Sequence, residues 1–267
     1  MDLDAYFARI GYTGPRTPTH GTLAAILRAQ VQTIPFENLD VLLGRPIRTD
    51  LESVQRKLVY DRRGGYCFEQ NQLLLQALRA LGFTAQPLIG RARWLVPAEV
   101  ITGLTHLLVH VTLDGRDWLA DAGMGSVSLT APLEMREGLE QETPHDRRRL
   151  VRRDGHLVQQ VCFAGAWQDI NLFRPEPAAP VDLEMGNWYS HTHPQAHFRN
   201  NLLVARATPD GRRTLFNREF TVRHRDGRAD KRELATADEL LAVLAEHFDL
   251  HFPAGTRFGA PGAPWPV

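Results

Sequence analysis

The chain has 267 residues, and its 43% hydrophobic content is enough to bury a large core in one large domain or in two to three small ones. The 31 Lys and Arg residues balance 31 Asp and Glu residues, so a net charge of zero argues against a dedicated nucleic-acid binder. The charged fraction of 23% is that of an ordinary globular protein and argues against bulk disorder.

Export and membrane signals are missing from the pattern. No run of about 18 apolar residues predicts a membrane span, and the first residues lack the basic and apolar regions of a signal peptide. The cysteines are only two, Cys67 and Cys162, which makes a disulfide framework improbable. We therefore expect a cytoplasmic protein with free thiols.

Apolar residues at helical spacing predict three helices in the first third of the chain. The first ends before Pro35. The second begins near Thr49, where Thr49-x-x-Glu52 has the form of a capping box. The third runs from about residue 67 to residue 81, and Gly82 stands where a helix C-cap glycine is expected.

Short alternating segments follow and predict strands. Residues 105–113 alternate polar and apolar side chains, and Asp114-Gly115 is a strong signal for a two-residue hairpin turn. Further strands are predicted at about 150–153, 157–163, 167–172, 201–207 and 213–223. The Pro-rich stretch 174–180 is typical of a linker, and a late helix is predicted to begin at Thr236-x-x-Glu239.

Cys67 is the candidate nucleophile. Gly64 and Gly65 release the backbone just before a helix begins, so that Cys67 falls in or next to the first helical turn. Free amide N–H groups and the positive end of the helix dipole favour a thiolate there and can stabilise an oxyanion. The alternative is a buried structural cysteine, which is the role we expect for Cys162 in its apolar strand.

A thiolate nucleophile needs a base and a group that orients it. If Asp114-Gly115 form the turn, Leu108 faces Asp121, and both His106 and His110 share that face as diagonal neighbours of Asp121. The spacing therefore predicts a His–Asp pair but does not choose between the two histidines. The alternative is an outward strand surface on which these side chains are solvated.

Four separated motifs resemble the arylamine N-acetyltransferase family, and their order and spacing agree over about the first half of the chain. They are Ile34–Leu39, Arg63–Asn71, Thr105-His106 and Leu119–Gly125. A weaker family-like stretch follows at Asn187–Ser190 and Pro194. Any one motif alone would be unspecific, but four in the right order are highly specific.

The resemblance implies a catalytic triad of Cys67, His106 and Asp121, and it selects His106 because the family histidine follows a Thr. It also implies an α+β fold in three parts with a catalytic core like that of cysteine proteases and transglutaminases. These parts are an N-terminal helical bundle (1–84) with the nucleophile, a central β-barrel (85–185) with His and Asp, and a C-terminal α/β lid (186–267).

The implied reaction is ping-pong acetyl transfer from acetyl-CoA, a cosubstrate, to the nitrogen or oxygen of arylamines, arylhydrazines and N-hydroxyarylamines through an acetyl-cysteine. The residues implied to line the acceptor pocket are Phe36, Met124 and Phe198, and those implied to bind CoA are Thr105, Gly125 and Ser126. Many family members have an aromatic or small polar residue at position 124, so acceptor preference stays open. We expect a monomer or homodimer without bound cofactor, metal, nucleic acid or membrane.

Three further features receive structural interpretations. The basic run of residues 147–149 and 152–153 is typical of a solvated hairpin face. His191, His193 and His197 lack carboxylates or cysteines at metal-ligand spacing and predict a polar loop near the active-site mouth. Arg63 and Glu69 are expected to fix the loop around the nucleophile through charge-assisted hydrogen bonds.

Other functions would use much of the same pattern. A hydrolase with a Cys-His-Asp triad shares the acyl-enzyme chemistry and differs only in its second nucleophile. An amide synthase related to the family would close a macrolactam from a carrier-protein thioester. A non-catalytic binding module would keep the fold without using the thiol.

Overall fold

The computed structural model describes residues 1–259. Its α-helices are α1 (Leu3–Ile10), α2 (His20–Thr33), α3 (Leu39–Leu42), α4 (Leu51–Gln55), α5 (Cys67–Ala80), α6 (Pro180–Thr192), α7 (His197–Asn200) and α8 (Ala237–Phe248). A π-helical turn, Arg56–Tyr60, extends α4, and a 3₁₀ turn covers Gly125–Val127. No helix within the described range is long and apolar enough to cross a membrane.

The helix predictions hold except at two points. Helix α2 ends before Pro35, and Gly82 follows α5 with a φ of +88° that suits glycine. Helix α4 is capped by Asp50, not by Thr49, because the Asp50 carboxylate accepts the Ser53 N–H at 2.9 Å. The Pro-rich stretch predicted to be a linker also supplies the first residue of α6, which the sequence analysis missed.

The strands form two antiparallel sheets. An eight-stranded sheet has the order β5-β4-β3-β2-β9-β8-β7-β6, and a five-stranded sheet has the order β1-β10-β11-β12-β13. The strands are β1 (Phe36–Glu37), β2 (Thr84–Ala92), β3 (His106–Leu113), β4 (Arg116–Ala120), β5 (Leu133–Glu134), β6 (Gln141–Glu142), β7 (Arg147–Arg153), β8 (His156–Phe163), β9 (Ala166–Phe173), β10 (Leu203–Thr208), β11 (Gly211–Phe216), β12 (Glu219–His224) and β13 (Ala229–Glu233).

The eight-stranded sheet is barrel-like because its two edges nearly meet. The Gln141 side chain on edge strand β6 accepts the Glu134 N–H at 2.8 Å and donates to the Glu134 carbonyl at 3.0 Å on edge strand β5. One side chain thereby satisfies both backbone groups of an edge residue that would otherwise stay unpaired.

The predicted hairpin has the expected register, with Leu113 opposite Arg116. Asp114 and Gly115 have φ values of +52° and +70°, which are those of a type I′ turn. The single strand predicted over 213–223 is wrong, since β11 and β12 are separate strands. Asn217 turns the chain between them with a φ of +50°, a conformation that asparagine tolerates.

The helices and the two sheets enclose two separate large cores, and Cys67 belongs to a third, smaller one. The largest core joins α1, α2, α4 and α5 to the barrel-like sheet, and a second core lies between the five-stranded sheet and α8. Strand β1 pairs with β10, which ties the N-terminal helices to the C-terminal sheet. The α+β class is confirmed. The three-part division stays a prediction: its boundary at residue 185 lies inside α6, and its last residues, 260–267, lie outside the described range.

Candidate active site

Cys67 is the first residue of α5, directly after the N-cap Tyr66, and it is only 3% exposed. The Glu69 carboxylate accepts the Tyr66 N–H at 3.1 Å and so anchors the start of the helix. Lys57 in turn pairs with Glu69 at 2.7 Å. The thiol therefore lies where free amide N–H groups of a helix converge, as the sequence analysis expected.

The glycines before Cys67 have a different role from the one predicted. Neither Gly64 nor Gly65 has a positive φ, so neither is needed for backbone freedom. A Cβ at Gly64 would collide with the Pro35 carbonyl oxygen, and a Cβ at Gly65 would lie 2.7 Å from Glu69 Oε2. Both positions require glycine because other parts of the chain approach the backbone closely.

A buried network of charges lies beneath this loop. Arg63 binds Glu37 at 2.8 Å and Asp40 at 3.3 Å, and Lys57 binds Asp40 at 2.8 Å. Burial raises the pKa of Glu69 to about 7, against the opposing effect of the Lys57 charge. These contacts agree with the structural role expected for Arg63 and Glu69.

His106 and Asp121 form a buried pair, with His106 Nε2 2.8 Å from Asp121 Oδ2 and the two residues 2% and 0% exposed. Burial acts to lower the pKa of His106, but the Asp121 charge and the hydrogen bonds to Asp121 and Cys67 outweigh it and raise that pKa to about 10. Burial opposes ionisation of Asp121, yet the His106 charge and hydrogen bonds from His106, Asn71 and the Gly123 N–H hold its pKa below the ordinary value.

The second histidine of the strand has different partners. His110 Nε2 lies 2.7 Å from Asp117 Oδ1, and its Nδ1 lies 2.7 Å from the Gln86 side-chain nitrogen. The prediction that both histidines lie on the same strand face as Asp121 is therefore right, and each histidine contacts a different carboxylate along the hairpin. The alternative of a solvated surface is wrong, because His106, His110 and Asp121 are all buried.

The Cys67 thiol is one of the groups that act to raise the pKa of His106, so it lies near the imidazole. Since Nε2 of His106 faces Asp121, Nδ1 is the ring nitrogen that remains for the thiol. Cys67 Sγ also lies 3.5 Å from the Thr105 carbonyl oxygen. The thiol, the imidazole and the carboxylate that were predicted to form a triad are thus brought together in one buried region.

Asn71 is a site residue that the sequence analysis quoted only as part of a motif. Its side-chain nitrogen donates to Asp121 Oδ1 at 2.8 Å, and its oxygen accepts the Ala122 N–H at 2.8 Å. The signal that indicates it is spacing, since Asn71 lies four residues after Cys67 and hence on the same face of α5. It links the helix of the nucleophile to the segment of the carboxylate.

Gly123 brings the segment after Asp121 into contact with the nucleophile. A Cβ at this position would lie 2.6 Å from Cys67 Cα and 2.8 Å from Asn71 Nδ2. Two residues further on, Gly125 has a φ of +60° and faces the Phe36 ring, which a Cβ there would meet at 3.5 Å. The segment therefore fits between the thiol and an aromatic side chain.

An apolar wall adjoins the thiol. The Phe36 and Phe198 ring centroids are 5.9 Å apart, Tyr66 meets Phe198 at 5.2 Å, and all three belong to the core that contains Cys67. Met124 does not join them, because its side chain packs with a separate cluster that contains Val127, Val161 and Ile170. Two of the three predicted pocket residues are thus brought together.

Two remaining expectations are wrong. The prediction that Cys162 lies in the core is wrong: it is half-buried, with Sγ 3.5 Å from the Arg147 guanidinium. A solvated face is also wrong for Arg148, which is 0% exposed. Alternation along β7 turns this arginine inward while its neighbours point out. Among residues 1–259, no group of three or more His, Cys, Asp or Glu side chains is arranged to hold a metal ion.

Comparison with known proteins places this geometry in context. A family model described as N-acetyltransferase matches residues 19–256. The arylamine N-acetyltransferase of Mycolicibacterium smegmatis is 41% identical over 94% of this chain and 92% of its own length, and that of Escherichia coli is 41% identical over 93% and 88%. The Mycobacterium marinum enzyme in complex with CoA superimposes with a TM-score of 0.90 at 36% identity, covering 93% of this chain and 92% of that one.

Proposed function

The chain belongs to the arylamine N-acetyltransferase family, and we propose that it transfers an acetyl group from acetyl-CoA to aromatic amines, hydrazines or N-hydroxyarylamines through an acetyl thioester on Cys67. The single observation that carries the proposal is the buried His106–Asp121 pair, joined at 2.8 Å, beside the helix-terminal thiol of Cys67, which helps to raise the pKa of that imidazole.

In the first half-reaction, His106 takes the thiol proton of Cys67, and Sγ attacks the thioester carbonyl of acetyl-CoA. A new Sγ–C bond forms, the bond from carbon to the CoA sulfur breaks, and the CoA thiolate takes the proton from the imidazolium. The raised pKa of His106 favours the ion pair from which this attack begins. N–H groups at the start of α5 can stabilise the oxyanion of the tetrahedral intermediate.

In the second half-reaction, the amine attacks the acetyl carbonyl on Cys67 and passes a proton to His106. A C–N bond forms, the Sγ–C bond breaks, and the amide product leaves. The thiolate is absent from the acetyl-enzyme, so one of the causes that raise the pKa of His106 is removed at this stage. The imidazole is then more readily neutral, as a general base must be.

Phe36 and Phe198 are our proposed walls for the aromatic acceptor, since both rings lie in the cluster that contains Cys67. The role of Met124 in the acceptor pocket is the part of this proposal with the least support, because the side chain packs elsewhere. For CoA we keep Thr105, whose carbonyl oxygen is 3.5 Å from Sγ, together with Gly125 and Ser126. The last two begin the 3₁₀ turn, and their N–H groups have no acceptor among the described residues.

The test is intact-mass analysis after incubation with acetyl-CoA alone. We expect a single acetyl adduct that is absent in Cys67→Ser and retained in Cys162→Ser, the matched control at the other cysteine. Addition of an arylamine should discharge the adduct and yield the acetylated amine.

Three outcomes would contradict the proposal. An adduct that survives in Cys67→Ser would assign the acetyl group to another residue. Rapid release of CoA that does not depend on the amine would favour the hydrolase, because water would then be the second nucleophile. An adduct that forms only from a carrier-protein thioester would favour the amide synthase.

A further inference from the structure

Two buried arginines share one carboxylate at the junction of the two sheets. Arg148 on β7 binds Asp146 through Nε at 2.5 Å and Nη2 at 2.9 Å, and Arg212 on β11 binds the same carboxylate at 2.8 Å. Arg148 is 0% and Arg212 8% exposed. We call these three residues the arginine–aspartate cluster.

The cluster also binds the backbone of the 3₁₀ turn beside the active site. Arg148 Nη2 donates to the Val127 carbonyl at 2.9 Å, and Arg212 Nη1 donates to the Ser128 carbonyl at 3.1 Å. One of these donors belongs to the barrel-like sheet and the other to the five-stranded sheet. Each sheet therefore contributes one arginine that binds the backbone of the same turn.

The arginine–aspartate cluster carries one more positive than negative charge, and the two backbone carbonyls help to stabilise it. Two guanidinium groups and one carboxylate leave an excess positive charge in a region that is largely shielded from water, and the two carbonyl dipoles are the acceptors that offset it. Stability alone does not account for the arrangement, because Arg148 Nη1 is buried without a partner among the described residues. Apolar side chains of similar volume usually serve folding as well as a buried ion pair or better.

The turn that the two arginines bind is part of a short loop, closed by hydrogen bonds, which reaches the backbone of Cys67. The Ser128 hydroxyl accepts the Met124 N–H at 2.9 Å and donates to the Ala122 carbonyl at 3.2 Å, so residues 122–128 form one tied loop. Within this loop Gly123 abuts the Cys67 backbone and Gly125 faces the Phe36 ring. A shift of the Val127 and Ser128 carbonyls would therefore also move Gly123 and Gly125, which contact Cys67 and the Phe36 ring.

We propose that Arg148 and Arg212 are positioning residues, which fix the loop of residues 122–128 between Cys67 and Phe36 and so couple the C-terminal sheet to the acetyl-transfer site. The inference rests on the proposed function. It assigns the two arginines no contact with substrate: they act through the Val127 and Ser128 carbonyls.

The test is made at Arg212, because its removal leaves Asp146 paired with Arg148 and creates no orphaned charge. We expect Arg212→Met to fold, to acetylate Cys67 about tenfold more slowly, and to lower kcat/KM for an arylamine while kcat/KM for hydrazine, which needs no aromatic wall, stays unchanged. The tenfold figure is below the roughly 100-fold cost of an ångström-scale misplacement. Arg212→Lys keeps one donor and should restore part of the rate.

The control is Arg152→Met, which replaces an exposed arginine on β7 whose only ion pair within residues 1–259 is with Glu137, and it should change neither the acetylation rate nor kcat/KM for either acceptor. A wild-type acetylation rate and wild-type kcat/KM values in Arg212→Met would overturn the inference, as would equal losses of kcat/KM for both acceptors or an effect that Arg152→Met reproduces. Should Arg212→Met not fold, an unchanged rate in Arg212→Lys would overturn it as well. Failure of the wild-type chain to form an acetyl adduct would instead overturn the proposed function.

Discussion

Gly123→Ala is the sharpest steric test of the site. The added methyl group would lie 2.6 Å from Cys67 Cα, 2.9 Å from Cys67 Cβ and 2.8 Å from Asn71 Nδ2. Two of these atoms belong to the first residue of α5, and neither the Cα nor the Cβ position can be changed by rotating a side chain. Gly123 has no positive φ, so the effect of the substitution is a collision and not backbone strain.

The size of the effect follows from the distances. Ordinary van der Waals contact at such a Cβ begins at 3.4 Å, so the segment or the helix must move by roughly 1 Å. A misplacement of about that size can lower the rate of a positioned reaction about 100-fold. Overpacking in a tight core costs typically 1–3 kcal/mol, so we expect a folded variant with a lowered free energy of unfolding.

The assay is the time course of Cys67 acetylation by acetyl-CoA, followed by intact mass, together with chemical denaturation. Gly21→Ala is the matched control, because its methyl group would meet only Thr19 Oγ1 at 3.9 Å on an exposed helix position. It should acetylate at the wild-type rate and gain up to about 1 kcal/mol in stability. Wild-type acetylation in Gly123→Ala would refute the reasoning, because the contact would then not constrain the nucleophile.

The other predictions concern the polar groups. Asn71→Ala strips a donor from buried Asp121, so we expect slower acetylation and a loss of about 2 kcal/mol by denaturation; an unchanged free energy would contradict this. The folded pKa of His106, about 10, exceeds the unfolded 6.5, so its stabilisation is complete below about pH 6.5 and lost as pH rises through 10. The stability difference between wild type and His106→Gln should therefore shrink by a few kcal/mol across that range, and a constant difference would argue against the raised pKa. Finally, His106→Ala should abolish rapid alkylation of Cys67 by iodoacetamide near neutral pH and His110→Ala should not; the reverse would exchange their roles.

The hairpin shows how much of the site can be predicted from the strand face that each residue occupies. The two-residue turn set the register, and the register put both histidines on the face of Asp121. The sequence pattern does not show how deeply these side chains are buried. Helix α5 packs on β3 and β2 and covers polar positions whose alternation is typical of a solvent-exposed face. The choice of His106 came from the family resemblance, and its bond to Asp121 agrees with it.

Long-range packing also explains the errors at Arg148 and Cys162. A basic run is usually solvated, but Arg148 meets Asp146, which lies outside the run, and neighbours Arg212, far along the chain. Cys162 was assigned to the core by its apolar neighbours, yet the end of β8 is only half-covered. The partners of this arginine–aspartate cluster that lie in other segments, the Val127 carbonyl and Arg212, are not indicated by any local pattern, and neither is the partial coverage of the end of β8.

The glycines near Cys67 yield the most general point about this site. Gly64, Gly65 and Gly123 suggest flexibility by composition, but none has a positive φ, and each would place a Cβ within 3.0 Å of a neighbouring segment. They are therefore points of close contact around one thiol: Gly65 meets the nearby Glu69, and Gly64 and Gly123 meet segments remote in sequence. A nucleophile held in this way is preorganised by packing, so substitutions that fill space should slow acetylation even where every polar contact is kept.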